Sequence, residues 1–135
     1  MLSSLSTACF FHFPLSTAFR LAAETGFDGV ELVMCPEIWL RGADFVAGLA
    51  RRYDLAIYSV HQTLLPISPR GSGAGRIVDA VETALALDAR CVVGHNTWAE
   101  RWEDPKAQRW LQAVKDCQTR LQGSDTRLSL ENQGI

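Results

Sequence analysis

The residues best suited to chemistry in this sequence are histidines and glutamates at the ends of short apolar segments. His61, His95 and Glu131 each close such a segment. Imidazole is a common metal ligand, and a carboxylate can hold a divalent ion or carry a proton during catalysis. We therefore predict that these three side chains form part of a metal shell. The alternative is that the two imidazoles only make hydrogen bonds at the rim of the fold.

Three further polar residues are candidates for substrate binding, each with a structural alternative. His12 lies between two phenylalanines and either contacts substrate or packs against them. Glu31 lies inside an apolar segment, where it either reaches the substrate or pairs with a cation inside the fold. Asn132 follows Glu131 and either orients a ligand or serves a turn, where asparagine is common. We also expect His61 and His95 to hold substrate hydroxyl groups or to assist the metal.

Apolar periodicity and boundary residues indicate the elements that position these side chains. Gly26 and Gly123 end two helices. Asp104 before Pro105 begins a third, because a proline in the first turn loses no helical hydrogen bond. The segment 66–75 is rich in glycine, serine and proline and is predicted to be a loop. The predicted elements are strands over 5–11, 29–34, 56–60, 91–94 and from 128, and helices over 15–24, 43–53, 77–85 and from 105.

Strict alternation of strands and helices predicts a parallel sheet, because each right-handed crossover lays a helix back on the sheet. Two architectures have this pattern: an open doubly wound sheet, or part of an eight-stranded barrel. In an open sheet ligands gather at the switch point, whereas in a barrel every strand end can supply a catalytic group. Each of the five predicted strands carries an ionisable residue within it or near its carboxyl end. The fold class is therefore predicted as α/β, an incomplete TIM-type (β/α) barrel with five parallel strands in order 1-2-3-4-5 and four outer helices.

The composition is that of one ordinary globular domain. The chain has 135 residues, a formal net charge of −2 and 47% hydrophobic residues. This charge provides no broad basic surface for nucleic acid or anionic membrane, and no apolar run approaches the roughly 20 residues that span a bilayer. The four cysteines are scattered without a CxxC pair, which predicts buried free thiols. We expect a cytoplasmic protein that binds neither nucleic acid nor membrane.

The segment 25–32 (TGFDGVEL) resembles the passage from the first helix to the second strand in the xylose-isomerase-like barrel superfamily. Residues 59–61, 92–95 and 130–134 resemble the third, fourth and fifth strand ends of that superfamily. The order and spacing of these segments carry the resemblance, which extends over essentially the whole chain. The superfamily holds sugar isomerases and epimerases, inositol-catabolism enzymes and the endonuclease IV type of abasic-site nuclease.

The resemblance implies a metal-dependent isomerase or epimerase of a small sugar or sugar phosphate, with Glu131 as a ligand of Mn²⁺ or Mg²⁺ and as the catalytic carboxylate that moves the proton. The other ligands of such isomerases come from strands six to eight. In the nucleases, histidines of strands three and four join the strand-five glutamate around zinc, and His61 and His95 match those positions. The proline-rich contexts of the nuclease histidines are absent, since Gln62 and Asn96 follow them here. We therefore prefer the isomerase, with a zinc-dependent abasic-site nuclease as the alternative.

Length is the main departure from the superfamily. A complete barrel has about 250 residues, whereas this chain ends four residues after Glu131. We expect residues 1–135 to be the N-terminal portion of a single barrel domain, without its C-terminal strands. Such a chain is expected to be inactive alone, not to retain the metal, and to self-associate through open sheet edges. A non-catalytic fragment or interaction module is the third hypothesis.

Overall fold

Five parallel strands in one sheet form the centre of the structure. The computed structural model describes residues 1–66, 68–71, 73–96, 99 and 101–131. The strands are β1 (Ser4–Ser6), β2 (Gly29–Val33), β3 (Ala56–His61), β4 (Cys91–His95) and β5 (Arg127–Glu131). Their order in the sheet is β1-β2-β3-β4-β5, and every neighbouring pair is parallel. The predicted barrel-type order is confirmed, because an open doubly wound sheet reverses its order at a switch point.

A helix connects each of these strands to the next, and a short 3₁₀ helix also lies between β1 and the first of these helices. The helices are α1 (Leu15–Glu24), α2 (Pro36–Tyr53), α3 (Ala74–Ala86) and α4 (Pro105–Arg120). Pro105 opens α4 directly after Asp104, as the sequence predicts. In α1 the buried residues recur at helical spacing and present one apolar stripe to the core; they are Leu15, Ala18, Phe19 and Ala22. Among the described residues, no helix combines the length and apolar character required to cross a membrane.

The hydrophobic core lies between the helices and the outer face of the sheet. Val30, Leu32, Val60 and Val92, from the three central strands, are fully buried. They belong to one core cluster with apolar side chains of the helices, which include Phe19, Val46, Ile77, Val81 and Val114. Burial of a large aliphatic side chain contributes about 1.5–3 kcal/mol, so this layer holds the helices on the sheet.

The inner face of the sheet is polar along one row. The residues aligned across the five strands are Ser6, Glu31, Ser59, Cys91 and Arg127. Side chains alternate between the two faces of a strand, so this row lies opposite the valines that face the helices. Branched apolar residues dominate the interior of an eight-stranded barrel. The inner face of this sheet departs from that pattern.

Two predicted element boundaries are wrong. The strand predicted over 5–11 ends at Ser6, and Thr7–Phe10 forms a 3₁₀ helix instead. The Thr7 hydroxyl accepts a hydrogen bond of 2.8 Å from the backbone N–H of Val33, so a side chain takes the place of a strand carbonyl as the chain leaves the sheet. The helix predicted over 43–53 begins at Pro36 and contains a break at Gly42, whose φ is 78°.

The prediction of free thiols is confirmed, but the prediction that all of them are buried is not. All four cysteines are free. Cys117 is buried in the core, Cys35 and Cys91 are half-buried, and Cys9 is exposed. Desolvation by burial raises the pKa of the Cys35, Cys91 and Cys117 thiols, which keeps them protonated and unreactive near neutral pH.

Gly29→Ala is expected to destabilise the chain by separating β2 from β3. A Cβ at Gly29 would lie 2.6 Å from Tyr58 Cε2 and would also strike the carbonyl oxygen of Ala56. Overpacking of this kind costs about 1–3 kcal/mol, measured as a loss in the free energy of unfolding in urea.

The matched control is Gly48→Ala in α2, where a Cβ meets no atom within 4 Å. The control should be neutral or should gain about 0.5–1 kcal/mol, because alanine is favoured within helices. Equal stability of Gly29→Ala and the wild type would contradict this packing.

Candidate metal centre

Three of the predicted site residues converge at the carboxyl ends of adjacent strands. His61 ends β3, His95 ends β4 and Glu131 ends β5. Nε2 of His95 lies 3.0 Å from Nε2 of His61 and 3.1 Å from Oε2 of Glu131, and Nε2 of His61 lies 3.9 Å from that same oxygen. Parallel strands in chain order all end at one edge of the sheet. This arrangement brings His95 into contact with His61, which is 34 positions away in the sequence, and with Glu131, which is 36 positions away.

Hydrogen bonding assigns the protons of the two imidazoles. Nδ1 of His61 lies 2.7 Å from the backbone carbonyl oxygen of Gln62. A carbonyl oxygen only accepts, so Nδ1 carries the proton and Nε2 of His61 presents a lone pair. Two lone pairs repel at 3.0 Å, so the proton between the rings belongs to Nε2 of His95, which also faces the Glu131 carboxylate. Three ligand atoms therefore point toward one position, where either a shared proton or a cation satisfies them.

Burial keeps His95 in the neutral form that a metal ligand requires. The side chains of His61 and His95 are only 11% and 10% exposed, whereas that of Glu131 is 57% exposed. Desolvation lowers the pKa of His95, and the neighbouring His61 lowers it further, against the opposing effect of the Glu131 carboxylate. Metal binding requires a neutral imidazole, so His95 has the form of a ligand near neutral pH.

The donor set and its spacing fit a divalent metal ion. A tetrahedral ion about 2.0–2.1 Å from each ligand atom separates those atoms by roughly 3.3 Å. The separations here, 3.0 to 3.9 Å, bracket that value. Two imidazole nitrogens and one carboxylate oxygen are a ligand set of catalytic zinc sites, with one further position for water or substrate. Magnesium prefers an all-oxygen shell, so the two nitrogens favour zinc over magnesium.

Packing by α3 and α4 fixes the end of β4, and with it His95. A Cβ at Gly94 would lie 2.8 Å from Cδ1 of Ile77 and 3.3 Å from Cδ2 of Leu130, so glycine permits the close approach of α3. From α4, the buried indole of Trp110 donates its N–H to the backbone carbonyl of His95 at 3.2 Å. Both helices therefore position His95, in addition to its own strand.

Glu31 lies on the inner face of the sheet and is not one of the three residues of the candidate metal centre. Ser6 donates a hydrogen bond of 2.9 Å to Oε1 of Glu31, and Ser59 donates one of 3.4 Å to Oε2. These hydroxyl groups hold the carboxylate, and no described cation pairs with it. Cys91 is close enough that the charge of Glu31 adds to the effect of burial in raising the pKa of the thiol. The predicted pairing with a cation is thus not seen among the described residues, and substrate contact stays a prediction.

The other two substrate-binding candidates also lie outside this cluster. His12 is exposed and its ring packs edge-on against Phe11, with the centroids 6.1 Å apart. Since β1 ends at Ser6, the prediction that His12 directly follows a strand is wrong, and the packing alternative describes its observed contact. Asn132 lies outside the described residues.

Two groups that hold the ligands are not among the predicted site residues. The backbone carbonyl of Gln62 fixes the His61 ring, yet a backbone group at that position has no sequence signature. Helical periodicity assigns Trp110 to the buried stripe of α4, but its hydrogen bond to the His95 carbonyl depends on how α4 packs on β4. No pattern in the sequence distinguishes Trp110 from an ordinary core residue.

The relatives that the chain matches are longer proteins without an assigned function. No protein-family model matches the chain. An uncharacterized protein of Mycobacterium leprae is 36% identical over 131 residues, which is 95% of this chain and 45% of that protein. An uncharacterized protein of Mycobacterium tuberculosis is 34% identical over 132 residues, with the same coverage of both chains. The chain thus spans less than half the length of the curated relatives it matches.

Solved structures identify the fold. A D-tagatose 3-epimerase-like protein superposes with a TM-score of 0.73 at 22% identity, over 100% of this chain and 54% of that one. An AP endonuclease of family 2 from Brucella melitensis has a TM-score of 0.67 at 24% identity, and the match covers 96% of this chain and 55% of that one. A D-allulose 3-epimerase from Methylomonas sp., in complex with D-allulose, has a TM-score of 0.65 at 14% identity, and the match covers 96% of this chain and 50% of that one. Further matches are xylose isomerase domain proteins. The chain has the fold of the xylose-isomerase-like barrels.

This xylose-isomerase-like fold agrees with the resemblance found in the sequence. The chain matches about half of each barrel, between 50% and 55% for the three neighbours above. Such barrels have eight strands, and the sheet described here has five. The neighbours include both sugar epimerases and an abasic-site endonuclease, so the fold by itself does not select between the two activities.

Zinc added to the chain near neutral pH should bind as one ion and should move the His95 proton from Nε2 to Nδ1. Coordination uses the Nε2 lone pair, and a neutral ring keeps its one proton on the other nitrogen. His61 should keep its proton on Nδ1, where Gln62 accepts it. Long-range ¹H–¹⁵N spectra of the imidazoles distinguish these tautomers. The expectation of binding departs from the sequence-based expectation that the chain alone does not retain metal, because three ligands lie within the chain itself.

The same titration has a matched control. His61→Ala and His95→Ala should each weaken zinc binding by at least about 10-fold. His12→Ala should bind zinc like the wild type, because His12 is exposed and its recorded contact is with Phe11. Equal affinities for all three variants would show that the cluster is not the metal site.

Proposed function

We propose that this chain carries part of the active site of a metal-dependent isomerase or epimerase of a small sugar or sugar phosphate. The proposal is carried by the convergence of Glu131 with His61 and His95 at the carboxyl edge of a parallel sheet. Barrels of this architecture build their active sites at that edge. The likeness to a D-tagatose 3-epimerase-like protein and to a D-allulose 3-epimerase bound to D-allulose supports a sugar as the substrate.

Glu131 is the catalytic carboxylate in this proposal. A divalent ion held by His61, His95 and Glu131 would polarise the carbonyl and hydroxyl oxygens of the substrate. The carboxylate of Glu131 takes the proton from the carbon next to the carbonyl group. Return of that proton to the former carbonyl carbon, with transfer of the hydroxyl proton between the two oxygens, gives the aldose–ketose isomer. The epimer forms instead when an acid supplied by the rest of the active site protonates the original carbon from its opposite face, while Glu131 keeps the proton it removed. Where they do not hold the ion, the buried imidazoles offer hydrogen bonds to substrate hydroxyl groups instead.

We also propose that residues 1–135 are the N-terminal portion of a single barrel domain. The chain spans 45% of its curated relatives, and its five strands fall short of the eight in a closed barrel. Within the described sheet, β1 and β5 each have one neighbour. Unpaired strand edges accept further strands. The remaining strands of the barrel would pair there and would supply the other side of the active site.

The isolated chain is therefore expected to self-associate and to show no turnover. Leu130 on β5 is 43% exposed, so this edge presents apolar surface together with unpaired backbone groups. Size-exclusion chromatography with light scattering on residues 1–135 should give dimers or larger species. A monodisperse monomer that melts cooperatively and turns over a ketose would contradict both the barrel-portion proposal and the expected lack of activity.

A zinc-dependent abasic-site nuclease is the second candidate, and one observation favours it. His61 and His95 join Glu131 in one cluster, whereas an isomerase needs only the strand-five glutamate from this part of the barrel. An AP endonuclease is also among the structural neighbours. Against it, the net charge of −2 provides no basic track for DNA. We therefore keep the isomerase or epimerase as the first candidate.

Glu131→Gln should lower turnover of the complete protein that contains these residues by roughly 10²–10⁴-fold, because an amide cannot accept the proton. Turnover is followed by NMR on a panel of ketohexoses and their phosphates, after the bound metal has been measured. The matched control is Glu24→Gln, an exposed carboxylate of α1 paired with Arg20, which should leave turnover unchanged. The melting temperature of both variants should match that of the wild type.

The outcomes separate the candidate functions. Ketose turnover with a bound divalent metal supports the isomerase or epimerase. Zinc together with nicking of an oligonucleotide that contains an abasic site supports the nuclease. Neither activity in the complete protein would make the chain a non-catalytic interaction module. Turnover of Glu131→Gln within a few-fold of the wild type would reduce Glu131 to a residue of the rim.

A further inference from the structure

Arg76 is a half-buried cation without a carboxylate partner among the described residues. It lies in the first turn of α3. Its Nη1 donates a hydrogen bond of 3.3 Å to the backbone carbonyl of Leu65, and its Nε is buried without any acceptor in the described part of the chain. A guanidinium group that loses water without gaining an anion is unfavourable. Arg76 therefore has the environment of a group that receives a negatively charged ligand.

Packing places Arg76 beside the metal centre. The next residue, Ile77, approaches the end of β4 so closely that a Cβ at Gly94 would lie 2.8 Å from its Cδ1. Leu65, whose carbonyl Arg76 contacts, lies in the connection that leaves β3 after His61. Burial and His61 lower the pKa of His95 most, and the positive charge of Arg76 lowers it further. The guanidinium thus acts at the same edge of the sheet as the metal cluster.

The carboxylates near Arg76 on α3 are bound by other arginines. Arg70 contacts Asp79 at 2.9 Å and also pairs with Glu82. Arg120 of α4 pairs with Glu82 as well. Both acidic side chains of α3 are thus engaged in ion pairs with other arginines, although Oδ2 of the buried Asp79 has no hydrogen-bond partner among the described residues. The charge of Arg76 is left for a partner that is not one of the described side chains.

We propose that Arg76, with the first turn of α3, binds the phosphate group of a phosphorylated sugar. The proposal rests on the proposed function and deepens it, because it selects a sugar phosphate over an unphosphorylated sugar. Guanidinium donors match two phosphate oxygens at once. The first turn of α3 holds no acidic residue, and its N-cap, Gly73, has no side-chain cap. The backbone N–H of Arg76 donates to the Gly73 carbonyl, so the helix adds the N–H groups that precede Arg76 and the partial positive charge of its N-terminus. A single arginine in a chain of net charge −2 suits one small dianion better than a DNA strand.

The test is a titration of the complete protein that contains these residues with inorganic phosphate, fructose 6-phosphate and fructose, followed by NMR and by the melting temperature. Both phosphates should bind and raise the melting temperature, and fructose alone should bind at least about 10-fold more weakly than its phosphate. Arg76→Gln should lose most of the affinity for both phosphates, by about 10-fold or more. The matched control, Arg51→Gln, removes an exposed arginine from the last turn of α2 and should change nothing. Arg76→Lys keeps the charge but lacks the two-pronged donor geometry, and it should bind phosphate several-fold more weakly than the wild type.

Zinc affinity measured on the same variants keeps this proposal separate from the proposed function. Loss of phosphate binding with unchanged zinc binding in Arg76→Gln supports the proposal, even if no ketose turnover is found. Phosphate affinity that is unchanged in Arg76→Gln, or in Arg76→Lys where the glutamine variant does not fold, would overturn it. An equal loss in Arg51→Gln would overturn it too, as a general effect of charge. Preferential binding of an abasic-site oligonucleotide, lost in Arg76→Gln, would assign the site to a phosphodiester and overturn the sugar phosphate as its ligand.

Discussion

The convergence of three ligand atoms at one point is the interaction on which the candidate site depends. Nε2 of His61, Nε2 of His95 and Oε2 of Glu131 lie 3.0 to 3.9 Å apart, too close for three unshared lone pairs. A proton or a divalent ion has to lie among them. This arrangement requires that β3, β4 and β5 be adjacent and parallel and that each end at its ligand residue. A register slip of one residue would turn a ligand to the opposite face of the sheet.

The outer face of the sheet contributes to stability, whereas the inner face carries the polar groups suited to chemistry. The outer face holds the helices through fully buried apolar residues such as Val60 and Val92. Two of those helices contact the end of β4: Ile77 packs against Gly94, and Trp110 donates a hydrogen bond to the His95 carbonyl. The end of β4 is therefore fixed by contacts on the outer face of the sheet. The inner face carries the ligands and the polar row that includes Glu31. Rigid support on one face thus positions polar groups that the other face presents to ligands.

Burial and charge are distributed unevenly over the site. The histidines are nearly buried, whereas the Glu131 side chain is 57% exposed at the end of the edge strand β5. Desolvation therefore acts on His95, whose pKa it lowers, while the more exposed carboxylate stays in contact with solvent. Arg76 adds positive charge on the α3 side of the same edge. A divalent ion at the cluster would make this edge cationic, which favours an anionic substrate over a neutral one.

The sequence alone determined the order of elements and the type of sheet, and it singled out the three candidate ligands. Apolar periodicity and boundary residues predicted α1, and the alternation of strands and helices predicted a parallel sheet, because these signals are local. His61, His95 and Glu131 were recognisable because each closes an apolar segment. Local signals failed where a side chain competes with the backbone. The apolar residues after Leu5 read as a strand, but the Thr7 hydroxyl bonds Val33 and the chain turns into a 3₁₀ helix.

Only the tertiary structure decided which polar groups act together. The sequence could not show that His95 shares a proton position with His61, since that depends on a spacing of 3.0 Å between side chains of two strands. It gave Glu31 two alternative roles, and the structure shows the carboxylate held by Ser6 and Ser59 through strand register. It gave no signal for Arg76, because an arginine in a helix is usually solvated or paired. The difference has one physical reason: periodicity reports which side of an element is apolar, whereas contacts between elements depend on how closely their side chains allow them to pack.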